Sequence, residues 1–557
     1  MALSLSPAAS DKLKNLLICF SLGNLCFLRR WYDLEHLRER SMEYYRSGPA
    51  DPTLLYATLA GALVLTGCFW LLWMWVEWRP TPGKLRLAHT GFLLALIFPL
   101  ESVRRYWNTE GERYDLATNI ALVGIETTLL VGMVLAAMGN ARMVNAAKRA
   151  TLLLTLLLPA LLVDFTWGRV SAPPQSAYAP LTPLPMIVPQ TSRRVLWLLF
   201  DEFDQRLAFD VRRPQVDLPE LDRLREQSLV ATHANQTASW TMVALPSLLD
   251  GRIYSRVELA NLNTLRVFPE ESKTGVSWHD EPNVFQRARA LGVNTALIGW
   301  HHPYCRVIGD SVTECVDLPN GHPTAALLRE ISVADDSLPK AVAFLFRLQF
   351  ANLLDMLYVG GENTVASRDE YMQTRQQKQY FEIRSRAFEA AADPRLGFVF
   401  AHFPIPHLYG IYNRQRRDFT LNPQLSYVDN LALVDRTMGE LRRLLEQKGM
   451  WDSTTILLSS DHGLRPDVWR GHLGWNEELQ ELTASGQSPL VPFIIKFANK
   501  GINSEPGGSK SVAYERPFSA VATADLVLAT LAGRVSNASE AALWLNEHAA
   551  ITGKSVR

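Results

Sequence analysis

The sequence is short of cysteine and of net charge. Five Cys among 557 residues are too few for a disulfide scaffold, the device of small secreted folds with thin cores. The 56 Lys and Arg are matched by 56 Asp and Glu. A chain without a basic excess lacks the electrostatic footprint of a nucleic-acid binder. It has no internal repeat, which argues against solenoids and propellers. Apolar residues are not scarce: at 48% they exclude general disorder and can build a large core. The length exceeds one ordinary domain.

The zero net charge hides a division. Residues 1–170 carry 17 basic and 13 acidic side chains, and the remainder carries 39 and 43. Nearly all long apolar stretches fall in the first part. Residues 54–76 run 23 positions without a charge. At about 1.5 Å per residue that suffices for a hydrocarbon core of about 30 Å. Residues 116–141 form a second stretch, broken only by Glu126. Shorter runs at 87–100 and 150–163 end in Glu101 and Asp164, and 15–28 lies between Lys14 and Arg29. The five runs read as a multi-span helical transmembrane domain over 1–167. The 15–28 run also fits a signal-peptide core, but no small-residue cleavage site follows it.

Arg79, Lys84 and Arg86 follow the second run, and Arg142, Lys148 and Arg149 follow the fourth. Both loops read as cytoplasmic, which places the rest of the chain outside. The five Arg of residues 29–53 oppose that topology. Glu126 lies mid-span, where an ionisable group is protonated, paired with a helix, or part of a substrate path. Trp70, Trp73, Trp75 and Trp78 suit interfacial anchors.

Residues 168–193 hold six Pro and read as a semi-extended linker that leaves the next domain independently placed. From 194 to 557 strands and helices alternate. Strands are expected at Val195–Phe200, 294–300, 397–403, 454–458 and 491–497, with a helix at 284–291. Leu431, Val434, Met438, Leu441 and Leu445 are spaced 3, 4, 3 and 4, one face of an amphipathic helix. The fold class is α/β: a mainly parallel sheet covered by helices on both faces, with its site at the carboxyl ends of strands. Residues 338–358 are apolar apart from Lys340, Arg347 and Asp355, a core helix or a surface-lying membrane helix. Cys305 and Cys315, ten apart in a loop-like stretch, favour a disulfide over two free thiols in an oxidising compartment.

Three strand ends deliver metal-type ligands. The first leads into Asp201-Glu202-Phe203-Asp204, the second into Ser460-Asp461-His462-Gly463, and the third into His402-Phe403-Pro404-Ile405-Pro406-His407. Carboxylates with imidazole suit a hard or borderline divalent cation. Any one of them alone is as well explained by a helix cap. A nucleophile would complete the set. Pro246-Ser247-Leu248-Leu249 reads as a helix start, and a hydroxyl just upstream would lie where anions bind. Thr237, Ser239 and Thr241 are the candidates, and each also fits a capping or packing role.

These motifs resemble the sulfatase/alkaline phosphatase superfamily over roughly residues 195–535. Within it the chain resembles the membrane-anchored phosphoethanolamine and phosphoglycerol transferases. The resemblance implies an alkaline-phosphatase-like domain with Asp201, Asp461 and His462 as metal ligands. Thr241, five residues before Pro246, matches the nucleophile that also binds metal. His407 and His472 match catalytic His residues more loosely. His301 or His302, after Ala-Leu-Ile-Gly-Trp, resembles the sulfatase Gly-x-Trp-His pattern. Glu202, doubling Asp201, is an additional candidate ligand. The implied cofactor is a divalent metal, zinc before manganese. The implied partners are a membrane phospholipid donor and a glycan or lipid acceptor, with no nucleic acid, acting on a monomer. The implied location is a bacterial-type inner membrane with the catalytic domain on the periplasmic or extracellular side. The chain departs from sulfatases at Ala244-Leu245-Pro246-Ser247-Leu248, which lacks the Cys or Ser and the Arg of their Cys-x-Pro-Ser-Arg motif. Sulfate ester hydrolysis is therefore not expected. Head-group transfer, hydrolysis by the same site and a non-catalytic lipid-binding role remain the three readings.

Overall fold

The computed structural model describes residues 7–28, 30–31, 34, 44–46, 53–109, 116–155, 174–189, 192–319, 338–356, 363–498 and 511–549. The chain divides into two compact units. One comprises 1–42, 49–173 and 322–364, and the other 43–48, 174–321 and 365–557.

The first unit is helical. Its described helices are Pro7–Cys26, Thr53–Trp78, Pro82–Thr109, Leu116–Ala137, Arg142–Leu154 and Leu338–Met356. Among the described residues three helices are long and apolar enough to cross a membrane, at Leu55–Trp78, Pro82–Glu101 and Ile120–Ala137. Residues 15–26 of the first expected run belong to the helix Pro7–Cys26, whose first half carries Asp11, Lys12 and Lys14. Most of the 150–163 run lies outside the described residues. Gly23 permits close helix packing: a Cβ there would meet Thr66 Oγ1 at 2.6 Å and the Ala62 carbonyl oxygen at 2.7 Å. Residues 338–356 form neither a core helix of the catalytic sheet nor an isolated one. They pack with the Thr53–Trp78 helix, and Leu345 shares a buried cluster with Phe27 and Ala62. Trp73 and Trp75 lie under Lys148 and Lys84, at 4.0 Å and 4.2 Å, in cation–π contact.

The second unit is built on a nine-stranded sheet. Its strands and those of two small sheets are, in chain order, β1 (Val195–Phe200), β2 (Leu229–Asn235), β3 (Tyr254–Asn261), β4 (Thr264–Pro269), β5 (Val276–Ser277), β6 (Thr295–His301), β7 (Glu314–Pro319), β8 (Phe398–Phe403), β9 (Tyr412–Asn413), β10 (Asp418–Phe419), β11 (Thr455–Ser459), β12 (Leu490–Lys496), β13 (Val512–Tyr514) and β14 (Phe518–Ser519). The order is β13-β2-β12-β11-β1-β8-β6-β7, with β14 also paired to β2. All pairs in it are parallel except the two made by β12. β3–β5 form a three-stranded sheet, and β9 and β10 a two-stranded one.

The apolar run of β1 has a simple cause. Val195, Trp197 and Leu199 enter the core on one face, and Leu196, Leu198 and Phe200 the core on the other. A strand covered on both faces needs no polar alternation. The helix Tyr427–Gln447 buries Leu431, Val434, Met438, Leu441 and Leu445 against the second face. It starts with a capping box of Ser426 and Asp429.

The Pro-rich stretch is not a free linker. Leu181 and Leu184 donate backbone hydrogen bonds to the Cys305 and Val312 carbonyls, and Asn294 bonds both ways with the Ile187 backbone. After a 3-10 turn at Gln175–Tyr178, residues 179–189 thus run extended along the second unit. Proline suits that role, because it cannot continue a helix but leaves carbonyls and alternate N–H groups to bond. The division expected at 167 and 194 is therefore refined: 174–189 and 43–48 join the catalytic unit, and 322–364 joins the helical one.

Candidate active site

The carboxyl ends of β1, β8 and β11 are adjacent, since β1 pairs with both of the others. Asp201 follows β1, His402 ends β8 opposite Leu199, and Asp461 and His462 follow β11. All four side chains are fully buried. Asp201, His402 and Asp461 each offer a ligand atom, and these atoms lie within 4.8 Å of one another. His402 Nε2 is 3.4 Å from Asp201 Oδ2. Asp201 Oδ1, His402 Nε2 and Asp461 Oδ2 have no hydrogen-bond partner among the described residues. Buried polar atoms are rarely left so, and three that converge have the chemistry of a cation site.

The imidazoles are oriented for that task. His402 Nδ1 is 2.9 Å from the Trp300 carbonyl, and His462 Nδ1 is 2.9 Å from the Gly463 carbonyl. A carbonyl only accepts, so Nδ1 carries the proton in each ring and Nε2 keeps its lone pair for the site. Burial holds His402 down at about 4, so it is neutral near pH 7. Burial and the neighbouring Asp461 push the Asp201 carboxyl up to about 7. Burial also acts to raise Asp461, but His462 and His402 outweigh it and hold that carboxyl low. Two carboxylates crowded without water are a site that a cation relieves.

Thr241 joins them. Its Oγ1 is 3.1 Å from His462 Nε2 and 3.4 Å from Asp201 Oδ2. It is the first residue of the helix Thr241–Asp250. The helix starts five residues before the expected Pro246, which lies inside it. The sequence reading was misled because proline is commonest in a first turn. The earlier start improves the site, since the first-turn N–H groups of Thr241 and Met242 have no carbonyl within the helix. Thr237 and Ser239 lie upstream of it. Thr237 Oγ1 is 3.4 Å from the Ala244 carbonyl, a packing role.

The other expected residues are elsewhere. Glu202 is buried, but Arg465 Nε bonds its Oε1 at 2.7 Å and Trp469 Nε1 its Oε2 at 3.0 Å. Both oxygens are taken, so the additional-ligand reading of Glu202 fails. Burial acts to raise its carboxyl, yet Arg465, His407, His462 and Trp469 together hold it below the usual range. His407 is 3.3 Å from Arg465 Nη2 and its ring is 5.1 Å from that of Trp300. It is not in the Asp201 group. His472 bonds Asp369 at 2.9 Å and lies beside Tyr409 in a separate cavity. His301 ends β6 and His302 follows it, and their bonds run to Tyr45 and Tyr44 at 3.2 Å and 2.9 Å. Glu202 and His301 have φ of 62° and 78°, and such strain in non-glycine residues gathers at functional sites. Cys305 and Cys315 form a disulfide.

Arg465 was missed as a site residue, and His402, quoted in the third strand end, was not assigned as a ligand. The signal for His402 was a single imidazole in the otherwise apolar strand Phe-Val-Phe-Ala-His-Phe. Its register against β1, which brings it to Asp201, is not written locally. Arg465 lies 4.8 Å from the ring of Trp240, which is 59% exposed beside Thr241.

A family model described as type I phosphodiesterase / nucleotide pyrophosphatase matches residues 195–530. Similar solved structures include a sulfatase from Pseudoalteromonas sp., at 18% identity and TM-score 0.37 over 61% of this chain and 67% of that one. A phosphonate monoester hydrolase from Silicibacter pomeroyi is 14% identical, with a TM-score of 0.34 over 61% and 73%. A murine ectonucleotide pyrophosphatase/phosphodiesterase 5, inactive and in complex with AMP, is 11% identical, with a TM-score of 0.31 over 61% and 95%. No curated protein sequence matches the chain.

Proposed function

The chain belongs to the type I phosphodiesterase / nucleotide pyrophosphatase family, and from that membership we propose that it cleaves a phosphodiester through Thr241. The finer reading is transfer of a phospholipid head group, phosphoethanolamine or phosphoglycerol, to a hydroxyl of a glycan or lipid. The observation that carries the reading is Thr241 Oγ1 at the start of a helix, 3.1 Å from His462 Nε2 and 3.4 Å from Asp201 Oδ2.

Asp201, His402 and Asp461 would hold a divalent cation, with zinc the first choice and manganese the second for this mixed donor set. Such a cation supplies positive charge that eases ionisation of a nearby hydroxyl and offsets charge on phosphoryl oxygens. The chain's own residues supply the rest. The Thr241 proton passes to His462 Nε2, whose Nδ1–H stays on the Gly463 carbonyl. Thr241 Oγ1 forms a bond to phosphorus while the bond from phosphorus to the lipid oxygen breaks, and diacylglycerol leaves with the proton that His462 took up. The first-turn N–H groups point toward the anionic oxygens. In the second step an acceptor hydroxyl loses its proton and bonds to phosphorus, the Thr241–phosphorus bond breaks, and Thr241 regains a proton. In this reading His301, whose electrostatic neighbours include Arg465 and His407, would be among the groups that meet the substrate.

The apolar helices favour a lipid donor, because enzyme and donor then diffuse in one plane. The reading places the catalytic unit on the periplasmic or extracellular side of a plasma membrane, working as a monomer. The family favours a second reading, in which water is the acceptor. Intact-mass measurement of the full protein incubated with phospholipid and metal tests both. Transfer predicts an adduct whose mass names the head group and which disappears in Thr241→Ala. Release of the free head group without glycan or lipid product favours the water reading. Full turnover by Thr241→Ala sinks both.

A further inference from the structure

The segment Tyr44–Arg46 precedes the first long apolar helix in sequence, yet it belongs to the catalytic unit. Tyr44 is fully buried in the core of that unit. Its hydroxyl meets His302 Nδ1 at 2.9 Å, and that of Tyr45 meets His301 Nε2 at 3.2 Å. The Tyr45 and His301 rings are 5.3 Å apart. The buried Arg306 guanidinium bonds the carbonyl oxygens of both Tyr44 and Arg46. Arg306 is itself fixed, because its neighbour Cys305 is disulfide-bonded to Cys315 on β7 and donates its N–H to Asp317 at 2.6 Å. Three separate devices thus hold a short segment of the N-terminal third against the two His residues at the carboxyl end of β6.

Resting on the function proposed above, we infer that Tyr45 is a positioning residue of the active site and acts through His301. A phenol is a better donor than a neutral imidazole, so its hydrogen bonds to Nε2 and the His301 proton is on Nδ1. Loss of hydration and the nearby His302, His402, His407 and Arg465 hold the His301 pKa well below its ordinary value, so the ring is neutral. Nδ1–H has no protein partner among the described residues, and it is the kind of donor that an anionic phosphoryl oxygen accepts. Without the Tyr45 hydroxyl the ring has no such fixed tautomer. The backbone of His301 is left-handed, at φ 78°, a strained conformation of the kind that gathers at functional sites. The N-terminal third would then contribute a part of the chemistry as well as an anchor.

The test is phosphate binding, read by calorimetry on the full-length, detergent-solubilised, metal-loaded protein with inorganic phosphate. Tyr45→Phe keeps the ring and removes the hydroxyl, and should weaken binding about tenfold, as should His301→Ala. His301→Asn, whose amide nitrogen takes the place of Nδ1, should stay within about threefold of the natural protein. The double variant Tyr45→Phe with His301→Ala should bind no more weakly than His301→Ala alone, because one acts through the other. The inference is overturned by any of four results: no phosphate binding by the natural protein, no effect of Tyr45→Phe, His301→Asn as weak as His301→Ala, or multiplied losses in the double variant. If Tyr45→Phe does not fold, the two His301 variants still decide the donor role. The expected binding pattern with Thr241 never modified would sink the transfer reading and leave this one standing.

Discussion

The two units use apolar residues in opposite ways. In the helical unit Leu63, Leu71, Leu72, Val131 and Val134 are more than half exposed. In the catalytic unit the apolar strands are buried on both faces. The first is the surface that a bilayer would cover, since lipid removes the reason to hide such side chains and leaves each helix to satisfy its own backbone. The second has the converse property. Among the buried polar atoms that lack a hydrogen-bond partner among the described residues, Asp201, His402 and Asp461 supply three that converge at one point. An apolar surface marks the solvent of one unit, and an unsatisfied interior marks the chemistry of the other.

The largest effect that bears on this contrast is at the unsatisfied point. Asp201→Asn should remove the bound metal, measured by elemental mass spectrometry, and lower activity by at least about 100-fold. In metal-free protein the same change should raise the melting temperature, because burial and Asp461 push the Asp201 carboxyl up to about 7 and the charge lost is a costly one. A fall in the metal-free melting temperature would mean that the site is a structural hydrogen-bond cluster.

A smaller effect compares one substitution in the two units. Leu71 is 69% exposed in the helix Thr53–Trp78, and Val188 is 87% exposed in the extended segment before β1. Leu71→Arg should cost about 3 kcal/mol of membrane insertion, read as loss of protein from the membrane fraction after alkaline extraction. Val188→Arg should change stability by less than about 0.5 kcal/mol. Equal tolerance would remove the argument that lipid covers the first.

The smallest effect is a pH dependence. Burial lowers His302 to about 3, from 6.5. Between those values the unfolded chain binds a proton that the folded chain refuses. Stability therefore falls as pH drops from 6.5 toward 3, by at most about 1.4 kcal/mol per unit. His302→Gln should flatten the decline of the melting temperature between pH 7 and 5. An unchanged slope would show that His302 takes up its proton without unfolding.

Much of this was legible before any coordinates. The strands at 195–200 and 398–403 announced themselves because two-sided burial demands continuous apolar runs. The helix at 427–447 did so because one-sided burial imposes a spacing of three and four. Asp201, Asp461 and His462 could be named because they follow such strands, and Thr241 because a known motif placed it before Pro246. His402 was passed over for His407, since only the pairing of β8 with β1 says which imidazole faces Asp201. Glu202 looked like a ligand until Arg465, 263 positions away, was seen to occupy it.

The sequence by itself therefore determined the central buried strands, the longest lipid-compatible helices and which residue types are available for chemistry, because those follow from local periodicity and side-chain character. Only the tertiary structure decided which of those groups meet. The partners of Thr241, of His402 and of the Tyr44–Arg46 segment lie 40 to 262 positions away along the chain. Hydrogen bonds and metal ligation act over a few ångströms of space, and periodicity carries no record of that proximity.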